Sequence, residues 1–335
     1  MSDFLQGSYR RSTGVRPLGD EKADVDIILV TNLDHQANTP DQALNHFSSF
    51  LNTHYKDKWR KRGRSIQIEL STVSLDLVVT AAPSETQKNR YSAQAILTDY
   101  TLEELQDWRL VRSWVDPELR SRADVSSLLE AAKREEEWRM EPLLIPDRDA
   151  KAWQKTNPLE QIRWTWAKNK RCQSHYVNVV KAIKWWRRAF EKPKYPKSYP
   201  LEHLLGDTCP DGISSVAAGV TLTLETISSS YQTFVDSGTV PYLRDRGVEQ
   251  NVFLRITPED FAAFHALVKD AAAVAREALD ATTEAKSAAA WRRLFGSRFP
   301  EGPKGSGNDD DSGGGQKGGY SDRSGPTVIT GTRFA

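Results

Sequence analysis

Apolar residues in the first quarter of the chain cluster in short runs that predict β-strands. Residues 24–31 (Asp-Val-Asp-Ile-Ile-Leu-Val-Thr) form an almost continuous apolar run headed by two acids, as in a buried strand. Two further β-rich runs, 65–71 and 74–81, follow each other with almost no gap, which predicts a hairpin or a bulged strand in a mixed sheet. Residues 1–15, by contrast, are polar and rich in Ser, Gly and Arg. The first lobe is therefore expected to combine strands with helices.

Helical periodicity dominates the chain beyond about residue 146. Tryptophan and leucine residues recur there at helical spacing, and β-branched runs are few. We interpret the tryptophan stripes as core positions rather than as ligand platforms. Helix signals, including Thr39 before Pro40 as an N-cap, predict helices over about 40–55, 158–169, 174–190, 200–205, 214–236 and 258–290. These patterns predict an α+β protein with a first lobe at 1–150 and an α-helical lobe at 151–299.

The composition changes again near residue 300. Residues 300–335 consist mainly of Gly, Ser, Asp, Lys and Pro, with almost no large apolar residue before Val328. Such a segment cannot bury enough apolar surface to offset the conformational entropy lost on folding. The three aspartates at 309–311 lack the alternating oxygen ligands and the glycine of a calcium loop, so a solvated linker is the simpler interpretation. We predict a disordered tail over 300–335.

The charges and cysteines of the chain exclude several classes of protein. The 335 residues include 46 basic and 45 acidic ones, which nearly cancel. The chain therefore has no strong overall field to bind long nucleic acid by counterion release, and we predict no DNA requirement. Cys172 and Cys209 lack metal-ligand spacing, which favours buried free thiols. We see no signal peptide and no apolar run of about 18 residues, so we expect a cytoplasmic protein that does not interact with membranes.

Three aspartates are candidate metal ligands. Asp24 and Asp26 point to one face of the first predicted strand, about 6.6 Å apart along the backbone, because strand side chains alternate. Carboxylates this close raise each other's pKa unless a divalent cation lies between them, which suggests Mg²⁺. The pair alone is weak evidence, since acids at strand ends are usually solvated. Asp76 strengthens it, because an acid inside an apolar strand is unfavourable unless it is paired or binds a metal.

A tight Gly-Ser step lies upstream of these acids. Leu5, Gln6, Gly7 and Ser8 form a segment where the chain could turn into a helix, and Ser8 lies 16 residues before Asp24. Backbone N–H groups and the Ser8 hydroxyl could hold a triphosphate there, because a helix N-terminus favours anions. An ordinary Gly-Ser turn is the simpler alternative. The Gly-Ser step, the acid pair and the third acid nevertheless strengthen one another when they occur in this order.

These motifs together resemble those of the polymerase-β-like nucleotidyltransferases, which share a Gly-Ser step, an Asp-x-Asp pair and a third Asp. More narrowly, the chain resembles the cGAS/DncV-like nucleotidyltransferases of bacterial anti-phage CBASS systems, and their clade D most. The segments that carry this resemblance are 4–13, 16–20, 24–27, 181–186, 194–203 and 332–335. The likeness covers nearly the whole chain, and the combination of motifs is highly specific.

The resemblance implies a polymerase-β-like lobe with a mixed sheet, a helical lobe, and an active site in the cleft between them. Two Mg²⁺ ions, which Mn²⁺ can replace, are expected at the catalytic residues Asp24, Asp26 and Asp76, and Asp76 is expected to help deprotonate the attacking hydroxyl. The implied nucleotide-binding residues are Gln6, Gly7 and Ser8 for the donor phosphates, Lys184 for the donor triphosphate, and Ser198 with Tyr199 for phosphate and base. Judged as single residues, Lys184 would be a solvated helix charge and Tyr199 an ordinary aromatic. His203, one turn after Tyr199, is interpreted as structural.

The resemblance also implies the reaction. ATP, GTP or other NTPs are expected to be joined through 3′-5′ links into a cyclic di- or trinucleotide, with release of pyrophosphate. The product is expected to activate an anti-phage effector without contact between the two proteins. An RNA- or protein-directed nucleotidyltransferase, which adds a tail or transfers AMP, would use the same acids and is the alternative. A non-catalytic interaction protein is a third possibility, which the intact set of acids argues against.

Two expectations concern the ends of the chain. In the family a long helix precedes the Gly-Ser motif, whereas here the motif begins at residue 7, so we expect that helix to be missing and thermal stability to be lowered. The tail ends in Phe334-Ala335 and resembles tails that E1/E2-like ligase partners join to amines through the terminal carboxylate. Ala335 would then be the conjugation terminus. A tail without a role is the alternative.

Overall fold

The computed structural model describes residues 2–81 and 142–303. The chain divides into two compact units. Unit 1 contains the chain up to Trp166 together with residues 244–250, and unit 2 contains residues 167–243 and the chain from 251 onward. Most of the tail predicted to be disordered, at 304–335, lies outside the described residues.

Unit 1 is built on a seven-stranded mixed sheet. The strands are β1 (Ser2–Gln6), β2 (Ala23–Thr31), β3 (Trp59–Lys61), β4 (Ile66–Glu69), β5 (Val73–Ala81), β6 (Leu143–Asp147) and β7 (Ala152–Thr156). Their order is β1-β2-β5-β4-β3, and β6 pairs with β5 and with β7. β2 and β5 run parallel, and β1 and β4 flank them in antiparallel pairing. The two strands that carry the predicted acids are therefore neighbours.

Apolar side chains cover both faces of the central strands. Ile28 and Val78 belong to one buried cluster, and Leu29 and Val79 belong to another. Successive strand residues point to opposite faces, so a strand buried on both faces consists of a continuous apolar run. Toward their first residues both β2 and β5 become less buried. This accessible end of the strand pair is where the acids lie.

Three short helices belong to the N-terminal part of unit 1. They are α1 (Gly7–Arg10), α2 (Pro40–Asn45) and α3 (Ser48–His54). The predicted N-cap is confirmed, because Thr39 and Gln42 exchange hydrogen bonds in a capping box. The single helix predicted over 40–55 is wrong. The Phe47 amide donates to the Leu44 carbonyl at 3.3 Å, an i→i+3 bond that tightens the chain and ends α2.

The described part of unit 2 is helical. α4 (Pro158–Arg171) begins in unit 1 and ends in unit 2, and it is followed by α5 (Tyr176–Arg187), α6 (Ser198–Thr208), α7 (Val216–Ser230), α8 (Gln232–Asp236), α9 (Pro258–Leu279) and α10 (Glu284–Phe295). α7 packs on α9, where Thr221 Oγ1 donates to the Ala275 carbonyl at 3.2 Å. Cys172 and Cys209 are buried free thiols, as predicted. Burial raises the pKa of Cys172 to about 12, which keeps this thiol protonated near neutral pH.

Several elements differ from the sequence-based predictions. The polar segment 1–15 contains strand β1. Strands β6 and β7 form a hairpin beyond residue 142 and extend the sheet, so unit 1 continues to Trp166 instead of ending near residue 150. The helix predicted over 258–290 is two helices. α9 ends at Leu279, and Thr283 caps the start of α10 by accepting a hydrogen bond from the Lys286 amide.

Candidate metal and nucleotide site

The three predicted acids come together at the accessible end of the β2–β5 pair. The parallel register places Asp26 opposite Asp76, and Asp24 opposite Ser74. One carboxylate oxygen from each of Asp24, Asp26 and Asp76 lies within 4.8 Å of the other two. These side chains are therefore close enough to share bound cations.

The electrostatics of the cluster fit a divalent cation. Burial is the main cause that raises the pKa of both Asp24 and Asp76. The charge of Asp24 raises the pKa of Asp76 further, whereas the nearby Arg62 guanidinium lowers the pKa of both acids. A divalent cation relieves the repulsion between such carboxylates, and carboxylate oxygens are ligands that Mg²⁺ prefers. The residues present therefore suit a magnesium site.

The β3–β4 hairpin supplies polar neighbours of Asp76 that the sequence analysis missed. Ser65 Oγ donates to Asp76 Oδ1 at 3.3 Å. Gln67 lies opposite Asp76 in the β4–β5 register, and its Nε2 donates to Ser74 Oγ at 2.8 Å. The signal that could have found them is the alternation of polar residues over 65–69, because antiparallel pairing places one set of alternate side chains on the face of the acids.

The Gly-Ser step starts α1 and lies directly against the acids. β1 pairs with β2, which places Gln6 opposite Asp26. Gly7 has a φ of +72°, a region that favours glycine. A Cβ atom at this position would lie 1.8 Å from Asp26 Oδ2. Glycine is therefore required here both by the backbone conformation and by the closeness of the Asp26 carboxylate.

Backbone hydrogen bonds hold Ser8 in a compact turn. The Ser8 carbonyl oxygen accepts from the Thr13 amide at 2.9 Å and from the Gly14 amide at 3.0 Å. The buried Arg10 side chain places its guanidinium 5.7 Å from the centroid of the Trp166 ring. These contacts fix the backbone beside Asp26, at the position predicted for donor phosphates.

The other predicted nucleotide-binding residues lie in unit 2. Lys184 is buried on α5 and donates from Nζ to Glu202 Oε1 at 2.9 Å, so it is not a solvated helix charge. Ser198 is the first residue of α6. Tyr199 packs edge-on against the buried ring of His203, with ring centroids 4.7 Å apart. The contacts of Lys184, Ser198 and Tyr199 with a nucleotide stay predictions.

Two further expectations concern the tail and the membrane. Ala335 lies outside the described residues, so its role as a conjugation terminus also stays a prediction. The helices in the described ranges fall short of the combined length and apolar character that crossing a membrane requires.

Magnesium is expected to raise the melting temperature of the protein through the acid cluster. At a concentration about 100-fold above its Kd, a ligand that binds only the folded state adds about 2.7 kcal/mol, or roughly 5–10 °C for a domain of this size. An Asp24→Asn/Asp76→Asn variant should lose this shift. Thermal melts of both proteins with EDTA and with Mg²⁺ test it, and equal shifts would show that the ion binds elsewhere.

The same variant should melt above the parent chain when no metal is present. The folded-state pKa of Asp24 and of Asp76 is raised, so the folded protein holds these protons more tightly than the unfolded chain does. Ionising the two acids therefore weakens folding, and the loss of stability grows as pH rises through the raised pKa. Asparagine removes that penalty, and the difference between the two proteins should shrink as pH falls.

The comparisons with known proteins agree with this arrangement. Residues 1–93 match the family model described as the Second Messenger Oligonucleotide or Dinucleotide Synthetase domain. Cyclic AMP-AMP-GMP synthase of Enterobacter hormaechei subsp. hoffmannii is 45% identical over 314 residues, which cover 91% of this chain and 82% of that protein. Cyclic AMP-AMP-AMP synthase of an Acinetobacter species is 30% identical, over 89% of this chain and 72% of that protein.

Solved structures show the same fold. Vibrio cholerae DncV cyclic AMP-GMP synthase in complex with its linear intermediate superposes with a TM-score of 0.58 and 14% identity, over 89% of this chain and 70% of that one. CdnC of E. coli MS115-1 with ATP gives a TM-score of 0.55 and 15% identity, over 89% of this chain and 84% of that one.

A cluster of three acids beside a Gly-Ser turn on a mixed sheet defines the polymerase-β-like class of nucleotidyltransferases. Within that class, the family is shown by the sequence identity of 45% and 30% to the two synthases, over most of the length of each. The chain belongs to the cGAS/DncV-like nucleotidyltransferases, the enzymes that condense nucleoside triphosphates into cyclic oligonucleotides.

Proposed function

We propose that this enzyme joins two molecules of ATP and one of GTP into a cyclic trinucleotide. The observation that carries this proposal is the 45% identity to a protein named cyclic AMP-AMP-GMP synthase, across 82% of that protein, in a chain that has the acid cluster. The more distant relative is named for a product that also has three bases. We therefore favour a ring of three nucleotides over a ring of two.

Asp24, Asp26 and Asp76 would hold two Mg²⁺ ions, or Mn²⁺ in their place. Ions bound there would supply charge neutralisation at the α-phosphate and the departing pyrophosphate and would lower the pKa of the acceptor hydroxyl. The hydroxyl oxygen forms a bond to the α-phosphorus while the bond to pyrophosphate breaks. Asp76 helps to remove the hydroxyl proton, and its hydrogen bond from Ser65 fixes the orientation of its carboxylate.

The donor nucleotide is proposed to bind by its phosphates at Gln6, Gly7 and Ser8. Two observations support this: the backbone there is fixed by the hydrogen bonds to the Ser8 carbonyl, and Gly7 lies against Asp26. A phosphate held at this turn would be close to the metal-binding acids. Lys184 and the Ser198–Tyr199 step are proposed to bind phosphate and base, as the family resemblance implies.

The biological setting is also part of the proposal. The product would activate an anti-phage effector, as expected of a CBASS enzyme. Among the clades of this family, the sequence motifs resemble those of clade D most. An E1/E2-like ligase would act on the carboxylate of Ala335. One of the similar solved structures is CdnC of E. coli MS115-1 in complex with HORMA-deltaN, which is a partner of CdnC.

Product analysis tests the proposed reaction. Incubation with labelled ATP and GTP and Mg²⁺, followed by phosphatase, should leave a resistant cyclic product with two adenines and one guanine, identified by mass spectrometry. Omission of either NTP should abolish it, since both bases are needed. An Asp24→Asn/Asp26→Asn variant is the control.

Other products would contradict the proposal in distinct ways. A cyclic dinucleotide as the main product would exclude the cyclic trinucleotide, but the enzyme would still be a cyclic oligonucleotide synthase. Label that appears on RNA or protein instead of in a small cyclic product would favour the RNA- or protein-directed alternative.

A further inference from the structure

The side chain of Gln67 anchors two arginines on the sheet face beside the acids. Its Oε1 accepts from Arg60 Nε at 2.7 Å and from Arg62 Nε at 2.9 Å. Its Nε2 donates to Ser74 Oγ at 2.8 Å. Gln67 is only 8% exposed, so this amide is a fixed, buried anchor and not a mobile surface group. Both guanidinium groups are therefore oriented by one side chain that is itself the register partner of Asp76.

The two arginines differ in what their outer nitrogens contact. Arg60 Nη2 forms an ion pair with Glu69 Oε1 at 3.2 Å. The Nη atoms of Arg62 have no hydrogen-bonding or ion-pair partner within the described residues, although its charge acts on both Asp24 and Asp76. Arg62 is exposed. It is thus a fixed cation near the acids with donors available for an anion.

The order of the strands places Arg62 and the Gly-Ser step on opposite sides of the acids. The Gly-Ser step follows β1, the acids are on β2 and β5, and Arg62 follows β3 at the other end of the order β1-β2-β5-β4-β3. In an in-line displacement the attacking hydroxyl approaches from the side opposite the leaving pyrophosphate. If the donor phosphates bind at the Gly-Ser step, an acceptor on the opposite side of the acids lies toward β5, β4 and β3. Arg62 is on that side of the acids.

We propose that Arg62 binds a phosphate group of the acceptor nucleotide and that Gln67 is the positioning residue for Arg62. This inference rests on the proposed function and assigns a residue to its acceptor. The phosphates of an acceptor nucleotide are anionic, and a fixed guanidinium beside the acid cluster offers them a cationic partner. Arginine suits the task because its planar fork can donate two hydrogen bonds to one phosphate.

The use of an acceptor can be measured by itself in a single condensation step whose donor cannot also act as an acceptor. Labelled 3′-deoxyATP can donate its α-phosphate but has no 3′-hydroxyl to accept another. GTP and ATP are offered as acceptors beside guanosine and adenosine, which lack phosphate, and the rate of labelled linear product is measured. The parent enzyme should prefer the triphosphates. Arg62→Gln should lower kcat/KM for the triphosphates by roughly tenfold to a hundredfold, through KM, and leave the nucleosides unchanged.

Arg60→Gln is the matched control. Arg60 shares the Gln67 anchor with Arg62 but is paired with Glu69, so its loss should keep the preference for triphosphates. Gln67→Leu should reduce the preference as Arg62→Gln does. Gln67→Glu, which keeps the acceptor oxygen, should restore it, a result that a loss of folding would not give.

The outcomes separate this inference from the proposed function. If the parent enzyme makes no labelled dinucleotide, the proposed function is overturned. If it does and Arg62→Gln retains the full preference for triphosphates, the assignment of Arg62 to phosphate is overturned. A variant that changes only the choice between guanosine and adenosine would likewise overturn it, since Arg62 would then contact the base.

Discussion

A Gly7→Ala enzyme is expected to lose about 100-fold or more of its kcat. The added Cβ would lie 1.8 Å from Asp26 Oδ2, far inside contact distance, so the carboxylate of Asp26 has to move. A displacement of about 1 Å in a catalytic group can lower a rate by about 100-fold. Asp26 is a member of the acid cluster, so one methyl group would disturb both the proposed metal site and the adjacent turn.

Gly19→Ala is the control that separates the collision from backbone strain. Gly19 has a φ of +57°, close to the +72° of Gly7, but a Cβ there would have no atom within 4 Å. Gly19→Ala should lower the free energy of unfolding by about 1–2 kcal/mol, because alanine is strained in the left-handed region. Gly7→Ala should lower it by at least as much, because the collision with Asp26 is added to the same strain. Steady-state rates with ATP and GTP should fall for Gly7→Ala alone. Equal losses in the two variants would show that strain, and not the contact with Asp26, causes the defect.

The sequence predicts the three residues of the acid cluster better than it predicts the residues around them. The apolar run of β2 and the acid inside β5 can be identified locally, because burial and strand periodicity leave a signal in consecutive residues. The pairing of β1 with β2, which brings Gly7 to Asp26, involves a polar five-residue strand with no such signal. The anchor formed by Gln67 depends on the register of three strands, which the sequence alone does not define.

The remaining differences between prediction and structure arise where tertiary contacts determine the secondary structure or the surroundings of a side chain. The β6–β7 hairpin lies in a stretch whose tryptophans suggest helix, but pairing with β5 makes it part of the sheet. Lys184 alone would be classed as a solvated charge, yet Glu202, 18 residues away on the next helix, makes a buried ion pair with it. Such pairs can be found only when the packing of the helices is known.

An Asp76→Asn enzyme is expected to lose about 1000-fold or more of its kcat, with little change in folding. Asparagine has nearly the same shape but lacks the negative charge, and a metal-assisted displacement depends on several kcal/mol of charge stabilisation from such ligands. Asp76 is central to the cluster, since it lies opposite Asp26 in the register, and its pKa is raised first by burial and then by the charge of Asp24. Initial rates of pyrophosphate release measure the effect. Asp41→Asn, an exposed acid paired with Lys61 and Arg148, should remain near the parent rate.

Thermal stability and a double variant distinguish a lost metal ligand from a lost fold. Because burial and the charge of Asp24 raise the pKa of Asp76, the neutral asparagine should not lower the melting temperature at pH 7. Groups that act as a unit are not additive, so Asp24→Asn/Asp76→Asn should be little slower than Asp76→Asn alone. If Asp76→Asn melts normally but is inactive, and the double variant loses little more activity, the two acids act together. Independent losses that multiply would mean that Asp24 and Asp76 serve separate sites.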